Sequence, residues 1–311
     1  MTEQDFILVT GATGMQGGFV AHALLRRGIK IRALVWSDMD SPAARRLADA
    51  GADLFQGDLG DRDSLKRAAT GASGVFSVQV PSKLPDDPLG ELRQGLNLVQ
   101  AAYAAGVSTF VHSSVARTGE YKEFVGWDEG RWHPDYWVSK SCVNEAVKVA
   151  GFAHWLVLKP ASILETWLPP KVDYVCPSLA RGRWETAIEP GVRQHLVAMD
   201  DVAAFAAAMF SDPSRFDRQE ISLATDALTM EELAGIFSEV TGKPIPVEHV
   251  TVDEMVARGM TRPVAESQAW DNVEGYKVDL EKAAAWGIPL ESVRSWAERH
   301  VDVLKAVVGP R

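Results

Sequence analysis

Cysteine is scarce in this chain: two in 311 residues, Cys142 and Cys176. With no metal-ligand spacing around them, they exclude a disulfide framework and point to no metal site. Positive charge is also short. Lys and Arg number 32 against 42 Asp and Glu, a formal net charge of −10. Such a surface repels a phosphate backbone, so no nucleic-acid partner is expected. No apolar run reaches bilayer-spanning length, which argues against a membrane partner. No basic and then apolar leader precedes the first strand-like segment, and the expectation is a reduced, cytoplasmic protein. Repeats and low-complexity linkers are missing too. What remains is 46% hydrophobic and 24% charged, ordinary globular composition with material for a sizeable core.

The informative stretch is Phe6 to Gly18. A short apolar run, Phe6–Val9, leads directly into Gly11-x-x-Gly14-x-x-Gly17, followed by a helical pattern through Phe19, Val20, Ala23 and Leu24. Strand, glycine turn and helix is the context in which such a motif binds a dinucleotide. Gly11 permits the tight turn, Gly14 lets the backbone approach a pyrophosphate, and Gly17 lets the helix pack on the strand. First-turn N–H groups and the helix dipole then face the phosphates. Thr13, Met15 and Gln16 join the glycines as candidate cofactor-binding residues.

Strand-like and helix-like segments alternate through the first half, from Phe6–Val9 to a sixth strand at His154–Leu158. That alternation predicts an α/β fold of the Rossmann type, a doubly wound parallel sheet with its ligand at the carboxyl ends of the strands. After Pro160 prolines become frequent and the alternation fades. The expected division is a dinucleotide-binding domain over 1–160 and a smaller substrate lobe over 161–311, with some lobe segments returning to the sheet.

Further landmarks are Gly57-Asp58-Leu59, Phe110-Val111-His112-Ser113-Ser114, Tyr136-x-x-x-Lys140, Lys159-Pro160 and a later His195-to-Ala203 segment. Together with the glycine turn they resemble the NmrA-like family, an atypical branch of the short-chain dehydrogenase/reductase superfamily. The resemblance implies one of two activities. One is an NAD(P)H-dependent oxidoreductase passing hydride to an aromatic or flat apolar substrate, a carbonyl, quinone or related compound. The other is a dinucleotide-sensing regulator that binds a protein partner without catalysis. Tyr136 and Lys140, four apart, share a helix face. The resemblance implies that Tyr136 donates the proton, while Lys140 orients the nicotinamide ribose and lowers the phenol pKa. The superfamily's usual Ser or Thr at the end of the fifth strand aligns with Val115. Ser113 and Ser114 precede it on opposite faces, and Ser114 is the catalytic candidate.

Relatives that bind NADP carry an arginine where this chain has Trp36, and an NAD enzyme would place Asp or Glu there. Trp36 and Ser37 are candidates for the adenine ribose, with Arg45 and Arg46 as sources of positive charge, so NADP is favoured and NAD stays open. Asp58 and Leu59, Gln79 and Pro160 complete the cofactor set; the alternative for Asp58 is a turn aspartate. Six of the ten tryptophans fall between 127 and 184. Trp127, Trp132, Trp167 and Trp184, with Tyr174, are candidates to line an apolar pocket, against plain packing. A small aromatic molecule is the expected partner, bound by a monomer or a homodimer.

Overall fold

A computed structural model describes residues 5–36, 38–81 and 86–309. Ser37, a cofactor candidate, lies outside the described residues. The chain divides into two compact units. The first comprises Met1–Gly119, His133–Lys159 and Val202–Ile221; the second comprises Glu120–Trp132, Pro160–Asp201 and Ser222–Arg311.

The first unit alternates strand and helix: β1 Phe6–Val9, α1 Met15–Arg26, β2 Ile31–Val35, α2 Pro42–Asp49, β3 Asp53–Gln56, α3 Arg62–Ala69, β4 Ala72–Ser77, α4 Gly90–Ala104, β5 Thr109–Ser113, α5 Pro134–Val149 and β6 His154–Pro160. The sheet order is β3-β2-β1-β4-β5-β6, with the strand Gln219–Leu223 beyond β6. The five ladders joining β1 to β6 are all parallel. This is the doubly wound order, whose reversal between β1 and β4 opens a crevice at the strand ends. Helices cover both faces, which explains why Ile7, Leu8, Val9, Val75, Phe76, Phe110 and Val111 are all buried, with no alternation of exposed residues. Capping is local: the Asp61 side chain accepts the N–H groups of Asp63 and Ser64 at the start of α3, and Ser41 accepts that of Ala44 at the start of α2.

β4 ends earlier than its apolar run suggests. The Val78 N–H is taken by the Thr10 hydroxyl at 2.9 Å rather than by a strand, which ties β4 to the turn after β1.

The second unit has its own core. Trp167 and Trp184 meet edge to face at 4.7 Å, Trp184 contacts Phe237, and Phe237 stacks on Trp296. Glu165 is buried beside them and accepts the Trp296 indole N–H and the Met199 backbone N–H, both at 2.9 Å. Desolvation raises its pKa. The apolar stretch Leu290–Val307 reads as one helix, yet it breaks at His300 into Val293–Arg299 and Val301–Val307. Among the described residues no helix is long and apolar enough to cross a membrane.

Trp184 is 1% exposed, and its removal would leave a cavity ringed by aromatics. Trp184→Ala is expected to cost about 3–5 kcal/mol, measured by denaturant unfolding.

Candidate functional site

The glycine turn is built by contact. Gly11 adopts φ +61°, and a Cβ there would sit 2.8 Å from Val78 Cγ1. A Cβ on Gly17 would fall 2.3 Å from the Thr10 carbonyl oxygen and 2.4 Å from Gly11, so only glycine lets α1 lie this close to the turn. Gly14 differs: its Cβ would meet nothing nearer than the Gly11 oxygen at 3.3 Å. A side chain at Gly14 would therefore be tight against the turn's own carbonyl, though less so than at Gly11 or Gly17. Gly14 is the N-cap of α1, no side chain caps it, and the first turn holds no acidic residue. An uncapped helix start on an exposed glycine fits the pyrophosphate of a dinucleotide. Thr13 is exposed there, and Met15 and Gln16 are half-buried.

The serines at the end of β5 diverge. Ser113 donates to the Gln16 side-chain oxygen at 2.6 Å, so it faces the glycine turn. Ser114 lies 3.2 Å from the Thr118 hydroxyl, and the Thr118 carbonyl accepts Lys159 Nζ at 2.8 Å. Ser114 thus belongs to a buried loop-bracing cluster. Val115 is buried. Between β4 and β5, Gln79 donates to the Ser77 hydroxyl, which contacts His112 Nδ1 at 3.1 Å. Burial, and then the Lys140 charge, push the His112 pKa down to about 3, so this histidine is neutral.

Tyr136 and Lys140 occupy successive turns of α5, with Lys140 Nζ 5.2 Å from the centre of the Tyr136 ring. The α5 start is a Pro134 first turn after His133 in the left-handed region. Lys140 donates to Glu91 Oε1 at 2.7 Å, and the two side chains are 9% and 4% exposed. Glu91 changes the electrostatics that the Tyr-Lys spacing alone suggests. The Tyr136 pKa is raised rather than lowered, first by burial and then by the Glu91 charge. Sequence reasoning missed Glu91: an acidic residue in the first turn of α4 reads as a complement to the helix dipole.

The remaining candidates are dispersed. Asp58 is an exposed turn residue whose carboxylate accepts the Gly60 N–H at 2.7 Å, and the Leu59 carbonyl accepts the Asn97 amide. Gln79 and Pro160 are buried, whereas Trp36 is 72% exposed. In the second unit Trp127 packs on Tyr121 at 4.6 Å. Trp132 donates its indole N–H to the Val125 carbonyl under the Arg131 guanidinium. Trp167 and Trp184 are core residues, and Tyr174 is 70% exposed.

Residues 3–288 match the model of the NmrA-like family. This chain belongs to the NmrA-like family. A relative that it matches over 95% of its own length and 98% of the relative's, at 27% identity, is (4-alkanoyl-5-oxo-2,5-dihydrofuran-3-yl)methyl phosphate reductase of Streptomyces griseus subsp. griseus. Two solved structures share the fold. Triphenylmethane reductase of Citrobacter sp., complexed with NADP(H), superposes with a TM-score of 0.74 at 23% identity, over 95% of this chain and 99% of that one. NmrA, a negative transcriptional regulator in complex with NADP, gives 0.73 at 17%, over 99% of both chains.

Gly14→Val is expected to abolish dinucleotide binding while the protein stays folded, because its side chain, tight against the Gly11 oxygen, would project over the turn. Calorimetric titration with NADPH and NADH checks this; wild-type affinity would exclude the turn as the site.

Proposed function

We propose that this NmrA-like chain is an NADPH-dependent reductase that passes hydride to an aromatic or flat apolar carbonyl, quinone or related substrate. The observation that carries this reading is the Tyr136–Lys140 pair on α5, in the same unit as the open glycine turn. The turn residues Gly11, Gly14 and Gly17 would hold the pyrophosphate, and Lys140 would hold the nicotinamide ribose. When bound, the cofactor supplies the hydride. Tyr136 supplies the proton to the substrate oxygen. Burial, and then the Glu91 charge, raise its pKa, so in the free protein the phenol holds its proton, and giving it up would rely on the negative charge that develops on the substrate oxygen. Ser113, aimed at Gln16, is a better placed hydroxyl than Ser114 for the cofactor side of the sheet. Trp127 and Trp132, partly exposed, are the tryptophans we favour for stacking on a flat substrate. The reductase relative and the NADP(H)-bound neighbour support this choice over a regulator.

Two observations favour the second reading, a dinucleotide-sensing regulator with a protein partner. Lys140 is already paired with Glu91, and the NmrA neighbour is a regulator in complex with NADP. The two readings part in one experiment: titration with NADPH and NADH, followed by a screen of quinones and aromatic carbonyls for cofactor oxidation. Binding without oxidation of any of them would favour the regulator.

In the reductase, Tyr136→Phe is expected to lower turnover about 10²–10⁴-fold and leave cofactor affinity unchanged. Steady-state kinetics beside calorimetry check it; full activity would move proton donation to another group.

Trp36→Arg is expected to raise affinity for NADPH relative to NADH roughly tenfold or more, by one charge-assisted contact to the 2′-phosphate. An unchanged ratio would place that phosphate away from position 36.

A further inference from the structure

Helices α4 and α5 approach unusually closely beside the Tyr136–Lys140 pair. A Cβ on Gly95 of α4 would lie 2.4 Å from Val143 Cγ2 of α5 and 3.3 Å from Gln79 Oε1. Gly95 is one turn beyond Glu91, and Val143 is three residues beyond Lys140, so this close approach brings the carboxylate to the ammonium. The pair is not built as a saturated structural bridge. Glu91 Oε2 and Gln79 Oε1 are buried and make no hydrogen bond among the described residues. A buried ion pair contributes to stability only when its remaining lone pairs are satisfied. Here one carboxylate oxygen is left bare next to the groups that would do the chemistry.

We propose that Glu91 is a positioning residue for this site: its carboxylate restrains the Lys140 ammonium and opposes the pull of that ammonium on the Tyr136 hydroxyl proton. The ionisable groups that interact around this pair are Glu91 from α4, His112 from β5, and Tyr136 and Lys140 from α5. His112 is neutral, so the Glu91 carboxylate is the one negative charge among them and Lys140 the one positive. With Glu91 present the phenol is raised by burial and by the carboxylate together. With Glu91 neutral, the ammonium beside the Tyr136 ring acts unopposed and favours the phenolate. Position 91 then sets how far the α5 phenol stands above the ordinary tyrosine range, on top of the rise that burial gives. The inference deepens the reductase reading and rests on it for the role of Tyr136, but its test does not need turnover.

The test is an alkaline titration of tyrosinate absorbance, taken as the difference between each variant and the same variant carrying Tyr136→Phe. In the wild type Tyr136 should stay silent up to about pH 11, above the ordinary tyrosine range. In Glu91→Gln its signal should appear at a pH lower by roughly one unit or more. Glu91→Asp keeps the charge and should follow the wild type, a rescue that lost packing would not produce. An unmoved Tyr136 in Glu91→Gln would overturn the proposal. If Glu91→Gln is too unstable to titrate, the double variant Glu91→Gln/Lys140→Gln, which buries no lone charge, carries the test. Tyr136 should remain silent there. A signal in the double variant below about pH 11 would overturn the proposal, because the ammonium would not then be what Glu91 restrains. Cofactor oxidation measured in parallel separates the two readings: a titration shift with no substrate reduced would overturn the reductase and leave the control by Glu91 standing.

Discussion

The buried Glu91–Lys140 pair is the constraint around which the candidate site is arranged. Two opposite charges, each under a tenth exposed, are tolerated out of water only in each other's company. They come from different helices, so α4 and α5 must stay in close register, and Gly95 against Val143 is the contact that permits it. The consequences spread outward. Glu91 adds to the burial that raises the Tyr136 pKa, and Lys140 adds to the burial that keeps His112 neutral.

The glycine turn is the second fixed point, and it is fixed by backbone rather than charge. α1 lies on Thr10 and Gly11 so closely that a methyl group at position 17 would collide with main-chain atoms. The Thr10 hydroxyl then binds the Val78 N–H and closes the turn against the end of β4. Ser113 reaches Gln16 from β5. Three neighbouring strands thus converge on one helix start, which the sheet order β3-β2-β1-β4-β5-β6 puts at the reversal point. In the second unit tryptophans do the packing: Trp167, Trp184 and Trp296 with Phe237 form a core whose buried acceptor, Glu165, satisfies one indole N–H and one backbone N–H.

Much of this was legible in the residues. The strand–turn–helix at Phe6–Gly18, the alternation through β6 and the placing of Tyr136 and Lys140 on one helix all follow from local pattern, because hydrophobic period and glycine spacing are properties of neighbouring residues. Helix α3 and strand β5 fall on the residues their patterns suggest. The break at His300 was hidden, since an uninterrupted apolar period continues across it. Nothing in the sequence marked residues 120–132 as leaving the first unit and returning to it at His133.

The sequence by itself determined that the chain carries a glycine turn between strand and helix on a doubly wound sheet, with a tyrosine and a lysine one turn apart after the fifth strand. Only the tertiary structure decided what those two groups face. Glu91 is 49 residues from Lys140, and no spacing rule links them. Only the folded structure showed that Ser113 meets the turn while Ser114 braces a loop, because strand alternation says that two neighbours part but not which face holds the ligand. Trp167 and Trp184 became core for the same reason. A large aromatic suits a pocket wall and a packed interior equally well, and what surrounds it is fixed by chain segments far away in sequence.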